Sequence, residues 1–275
     1  MEAGHHPILS AEFSERVEEL IKRTFYKYTY GYYTDVFRFI EESPELTFHF
    51  ASSLAGVTAR IAREGKLNNI TLAPMSSRDA RYILCHEYAH LVYDKIAGRL
   101  DRVPRTSREV EEAVVRSIAD RIFVRRSWVD KLERSYLESP KEFSAVGAEV
   151  IRQGNIPHRV FCRASLLLGT GAFGGFVKMS SDNQLSLFDG PTKPMFHWFM
   201  RFAGKRAEDG SIECRYHETR SENKAFQIVS TSLARAGRAM PGNNAVRLLS
   251  EVRVMAGVIH LEEEGREVHL VPVFD

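Results

Sequence analysis

The chain has 275 residues, 44% apolar and 27% charged, enough for a buried core in one large domain or two to three small ones, with the balance of an ordinary soluble protein. No run approaches the roughly 18 consecutive apolar residues of a membrane span, and residues 1–10 lack the basic and apolar pattern of a secretory leader. The three cysteines, Cys85, Cys162 and Cys214, are too scattered for a disulfide framework or a CxxC knuckle, so a cytoplasmic protein with no membrane partner is expected.

Residues 10–27 read as an amphipathic helix, with Phe13, Val17, Leu20, Ile21 and Phe25 at helical spacing and Ser10 as N-cap. The aromatic run Phe25–Tyr33 that ends it is expected to pack beneath it. Three strands follow: 46–50, 57–62 and 69–72, the last two forming a hairpin about Glu64-Gly65-Lys66 that stops before Pro74. Ser76, with Asp79 three residues on, starts a long helix that ends before Gly98. Thr106-Ser107 then caps a helix over 108–125, where Val110, Val114, Ile118 and Ile122 are four apart. Short helices over 128–136, 140–152 and 158–168 follow, broken at Gly154-Asn155. Glycines over 169–175 mark a boundary, after which strands are expected over 176–179, 195–202 and 212–215, a helix over 221–240, and a hairpin of 258–261 with 268–273.

The first long helix carries His86-Glu87-Tyr88-Ala89-His90. Positions i and i+4 share a helix face, so two imidazoles can meet one tetrahedral ion. Glu87, offset around the helix, suits a general base that takes a proton from the attacking water and passes it to the leaving amine. The bland alternative is a pair of packed or surface histidines without metal. A catalytic zinc also needs a third protein ligand. The next helix offers Glu109, Glu111 and Glu112, among which spacing does not choose, and acidic residues also favour a helix N-terminus for the macrodipole alone.

The charge is uneven. The net value is +2, yet residues 151–240 hold thirteen Lys/Arg against seven Asp/Glu, an excess of +6 that suits an anionic partner or, equally, a solvated surface.

The stretch Ile70-Thr71-Leu72 followed by Arg81-Tyr82-Ile83-Leu84-Cys85-His86-Glu87-Tyr88-Ala89-His90 resembles the ImmA/IrrE family of metallopeptidases. The family's downstream pattern aligns with Glu112-Ala113 and with Ala119 and Ile122-Phe123-Val124, although Arg116 stands where an Asn is usual and Arg125 where a Pro is usual. The resemblance is specific over residues 46–129, about a third of the chain. It implies an α+β protein in three parts: a zincin-like zinc metallopeptidase domain (1–127), a helix-turn-helix-like segment (128–168) and a GAF-like sensor domain (169–275). It further implies His86, His90 and Glu112 as ligands to Zn2+, with Glu111 in reserve, and Glu87 as the catalytic residue. The implied activity is cleavage of a helix-turn-helix repressor, relieving repression of a stress, DNA-damage or anti-phage defence operon in response to a signal at the C-terminal domain.

Single-stranded DNA is one expected activator, through the basic excess and the interleaved Phe196, Trp198, Phe199, Phe202 and Tyr216, although alternating aromatics in strands are more often core. Two rival readings have different chemistry. One is a nucleic-acid or ligand sensor with a structural or vestigial metal site. The other is a duplex-DNA regulator using the 158–168 helix, with Arg159 and Arg163 on phosphates. Cys85 is expected to be a buried apolar residue; Cys162 and Cys214 are weighed as reversible blocks of the zinc site, without support from spacing.

Overall fold

The computed structural model describes residues 11–30, 33–97, 108–168, 175–182, 195–206, 212–219, 257–263 and 266–273. Helix α1 (Ala11–Phe25) buries Phe13, Val17 and Phe25 and turns charged residues to water, where Arg16 donates to Glu12 at 2.8 Å. After a single 3-10 turn (Tyr26–Tyr28), strands β1 (Thr29–Tyr30) and β2 (Tyr33–Thr34) form a short antiparallel ladder. Phe25 and Tyr28 are buried, as the aromatic run suggests, whereas Tyr26 is exposed.

The sequence pattern did not reveal helix α2 (Val36–Glu41), which Asp35 caps by accepting the Arg38 N–H at 3.2 Å. Its Phe39 ring sits 4.5 Å from Phe25, 5.3 Å from Tyr28 and 4.9 Å from Tyr88, at the tilted and edge-on angles aromatic rings favour.

Strands β3 (Leu46–Phe50), β4 (Ala59–Glu64) and β5 (Leu67–Leu72) form a sheet ordered β3-β5-β4. Strand β3 runs parallel to β5, and β4 is its antiparallel hairpin partner. Gly65 turns the hairpin with a φ of +64°, a left-handed conformation that glycine takes without steric cost. Alternate residues of β5 are buried, Ile70 and Leu72 among them, so one face of the sheet seats the long helix α3 (Ser77–Ala97). The start of α3 is fixed by Ser76, whose hydroxyl accepts the Asp79 N–H at 3.1 Å and donates to its carboxylate at 2.6 Å.

Helix α4 (Arg108–Phe123) lies against α3 and buries Val114, Val115, Ile118, Ile122 and Phe123. Helices α5 (Arg126–Glu138), α6 (Pro140–Gln153) and α7 (His158–Leu168) follow. Ser139 caps α6, with Pro140 in its first turn, where a missing N–H costs nothing. Asn155, at a φ of +47°, breaks the chain between α6 and α7 at the expected place.

Strands β6 (Gly175–Asp182), β7 (Met195–Arg206), β8 (Ile212–Thr219), β9 (Ile259–Glu263) and β10 (Arg266–Val273) form a second, wholly antiparallel sheet ordered β8-β7-β6-β10-β9. Helix α7 packs on β6, β7 and β8, and α6 on β9. The architecture is mixed α and β with small sheets. One continuous buried cluster runs from Phe13 to Leu270, through the positions expected as boundaries at 127 and 168. The Thr106-Ser107 cap and the 221–240 helix fall outside the described residues, as do the side chains of Phe196, Trp198, Phe199, Phe202 and Tyr216. Among the described residues, no helix is long and apolar enough to cross a membrane.

Candidate metal centre

The contacts between α3 and α4 show how two antiparallel helices assemble the site. His90 faces Glu111 and Glu112 at the start of α4, His86 faces Glu112, and Tyr82 faces Asp120 further along. His86 and His90 occupy one face of α3, their rings perpendicular with centroids 5.1 Å apart. Glu112 reaches both: Oε2 lies 3.4 Å from His86 Nε2, and Oε1 lies 3.7 Å from His90 Nε2. One donor atom from each of the three falls within 4.8 Å of the other two, so His86, His90 and Glu112 could together bind a metal ion. Donors about 2.0–2.1 Å from a tetrahedral ion lie roughly 3.4 Å from one another, and the carboxylate-to-imidazole separations are close to that spacing. Side-chain exposures of 17% for His86, 23% for His90 and 35% for Glu112 leave the cluster partly buried and still in reach of solvent.

The other acidic candidates are placed differently. Glu111 Oε1 approaches His90 Nδ1 at 3.8 Å, the nitrogen turned away from Glu112, and does not join the three-residue group. The side chain of Glu109 lies outside the described residues.

Burial, reinforced by the neighbouring His90, holds the His86 pKa below its ordinary value. The neutral imidazole that results is the form that ligates a metal. Glu87, on the next position around α3, is also partly buried. Desolvation raises its pKa, the Glu112 carboxylate adds to the rise, and His90 opposes it.

A second polar cluster, which the sequence did not reveal, lies beside the first. Tyr82, one turn before His86, donates its hydroxyl to Asp120 Oδ1 at 3.0 Å. Arg163 on α7 grips the same carboxylate with Nε to Oδ2 at 2.7 Å and Nη2 to Oδ1 at 2.9 Å, and reaches the Tyr82 hydroxyl at 2.9 Å. No helical pattern singles Asp120 out, since Arg116 and Ser117 stand one turn before it.

That pairing corrects the expectation of Arg163 as a phosphate contact. Its side chain is 12% exposed and is committed to a carboxylate that is 1% exposed. Val160, Phe161, Cys162, Ala164, Ser165 and Leu166 are buried as well, so α7 is an internal helix rather than a groove reader.

The cysteines are also placed. Cys85 is fully buried, and burial pushes its thiol up to about 12. Cys162 is buried in the core cluster on α7. The side chain of Cys214 lies outside the described residues.

No model of a protein family matches the chain. No curated protein matches it either. Among solved structures, a Mycobacterium tuberculosis transcriptional regulator is similar over 88% of this chain and 80% of its own, at 8% identity and a TM-score of 0.42.

Proposed function

We propose that the chain is a zinc-dependent endopeptidase of the ImmA/IrrE type that cleaves a helix-turn-helix repressor and so lifts repression of a stress, DNA-damage or anti-phage operon. The observation that carries this reading is the convergence of His86, His90 and Glu112 on one small volume, with Glu87 beside it on the same helix. Two imidazoles and one carboxylate, three protein donors where a structural site has four, are the donor set of a catalytic zinc. A zinc ion held there supplies Lewis acidity, polarising a carbonyl and making water more acidic.

The rest is the work of the chain's own residues. His86, His90 and Glu112 present the donors. The Glu87 carboxylate accepts a proton from the attacking water, whose oxygen bonds to the peptide carbonyl carbon. The same carboxyl group then gives that proton to the departing amine nitrogen as the C–N bond breaks.

A cytoplasmic setting agrees with three scattered cysteines, two of them buried. The second sheet is read as a GAF-like sensor, and the +6 excess over residues 151–240 suits single-stranded DNA as its activator. The same excess favours the rival reading, a sensor with a vestigial metal site. Against that reading stands Glu87, which a structural metal does not need.

The test is co-expression with a helix-turn-helix repressor encoded beside this protein. The wild-type chain is expected to cut the repressor once. Glu87→Gln is expected to keep its metal and leave the repressor whole. Cleavage by the Glu87→Gln chain defeats the assigned role of that residue.

A further inference from the structure

The triad depends on the register between two helices. An α-helix rises 1.5 Å per residue, so a slip of α4 along α3 by a single residue takes the Glu112 oxygens out of reach of one histidine or the other. Apolar contacts between the helices are not directional. A directional lock is provided by Tyr82, Asp120 and Arg163.

Tyr82 lies one turn before His86 on α3, and Asp120 lies two turns past Glu112 on α4, so their hydrogen bond at 3.0 Å ties the two helices together one turn from His86 and two from Glu112. Arg163 belongs to neither helix. It enters from α7 as a fork, two N–H groups on Asp120 and one also on the Tyr82 hydroxyl. A planar guanidinium imposes direction as well as charge on a carboxylate. With Asp120 buried, the pair tolerates no loose arrangement, because an unpaired buried carboxylate is costly. Helix α7 in turn rests on β6, β7 and β8, and its His158 meets Lys178 of β6 at 2.8 Å. The position of the second sheet therefore bears on Arg163.

We propose that Arg163 is a positioning residue: through Asp120 and Tyr82 it holds α3 and α4 in the register that brings His86, His90 and Glu112 together, and so links α7 and the sheet beneath it to metal affinity. This rests on reading the triad as a metal site. Arg163 touches neither metal nor substrate, and its effect is mechanical.

The experiment measures zinc affinity of the full-length chain by competition with a chromophoric chelator, together with the visible absorption of the Co(II)-loaded protein, which reports ligand geometry. Arg163→Lys retains the charge but loses the fork; Tyr82→Phe removes one oxygen; Asp120→Asn/Arg163→Gln removes both charges. Each is expected to weaken zinc binding about tenfold or more, the range that outer partners of metal ligands command, and to alter the Co(II) bands while far-UV circular dichroism stays native. Arg159→Met, on the exposed side of the same helix, is expected to change neither. A role in stability alone would lower the melting temperature and leave affinity and spectrum untouched. Wild-type affinity within twofold and an unchanged Co(II) spectrum in Arg163→Lys and in the neutral pair overturn the inference. If His86→Ala also binds zinc as tightly as wild type, the fault lies in the metal site itself.

Discussion

Three glutamates crowd the start of α4, and at the scale of single residues only the relation between helices separates them. Glu112 brings both its oxygens toward Nε2 atoms of the histidine pair, while Glu111 meets the far nitrogen of His90. Glu112→Gln is therefore expected to cut zinc affinity at least a hundredfold and Glu111→Gln less than threefold, as read by chelator competition; equal losses would put the third ligand in question. The His86–His90 pair was legible because helical period alone brings residues four apart together. Glu112 was not legible from spacing, which does not choose among Glu109, Glu111 and Glu112, and it was singled out only by resemblance. Tyr82, Asp120 and Arg163 were invisible because they join residues 38 and 43 positions apart. Cys85 permits another check. Its thiol is buried and pushed up to about 12, so at pH 8 in native protein it carries almost no thiolate, the reactive form. Mass spectrometry after iodoacetamide treatment should find Cys85 unmodified in the folded chain and alkylated once urea unfolds it. Rapid native labelling would contradict its placement.

Elements with a long repeating pattern were the ones the sequence revealed. Helix α1, helix α3 with its Ser76 cap and helix α7 each bury an apolar stripe long enough to show a period. Six-residue α2 and the two-residue strands β1 and β2 are too short to show one, and tertiary contacts of Phe25, Phe39 and Tyr88 hold the region instead. Two elements meet closely: a Cβ added at Gly147 of α6 would press on the Ile259 side chain of β9. Gly147→Val is expected to lower stability by about 1–3 kcal/mol, the cost of overpacking, measured by urea denaturation; an unchanged midpoint would show that Ile259 gives way without cost. At the exposed end of α2, Glu42 receives Arg38 at 2.7 Å and Lys27 at 3.1 Å, and these bonds hold its pKa at about 2. A depressed carboxylate favours the folded state above its unfolded value near 4.5 and loses that contribution as pH falls toward 2. Wild type should then melt slightly above Glu42→Gln at pH 6, with the gap closing by pH 2. A gap that widens in acid has the wrong sign.

Among the described residues of the whole molecule, one continuous apolar cluster is buried, in which the three-stranded and five-stranded sheets and the helices between them take part. The sequence marked a change from helical to strand period near residue 169, and the antiparallel second sheet begins at Gly175, but nothing in a one-dimensional pattern says that this sheet lies under α6 and α7. That packing is a product of which faces remain uncovered once each element has formed. A metal bound by the proposed triad would couple to global stability, because two candidate ligands lie on α3 and the third on α4. Zinc at a hundred times its dissociation constant should stabilise the chain by about 2.7 kcal/mol, and a chelator should lower the melting temperature reversibly. The metal content of the purified protein, read by plasma mass spectrometry beside a variant carrying His86→Ala, His90→Ala and Glu112→Gln, tests the proposed zinc site most directly. The expected result is one zinc per wild-type chain and none in the triple variant. A wild-type chain that takes up no metal, or a triple variant that keeps it, contradicts it.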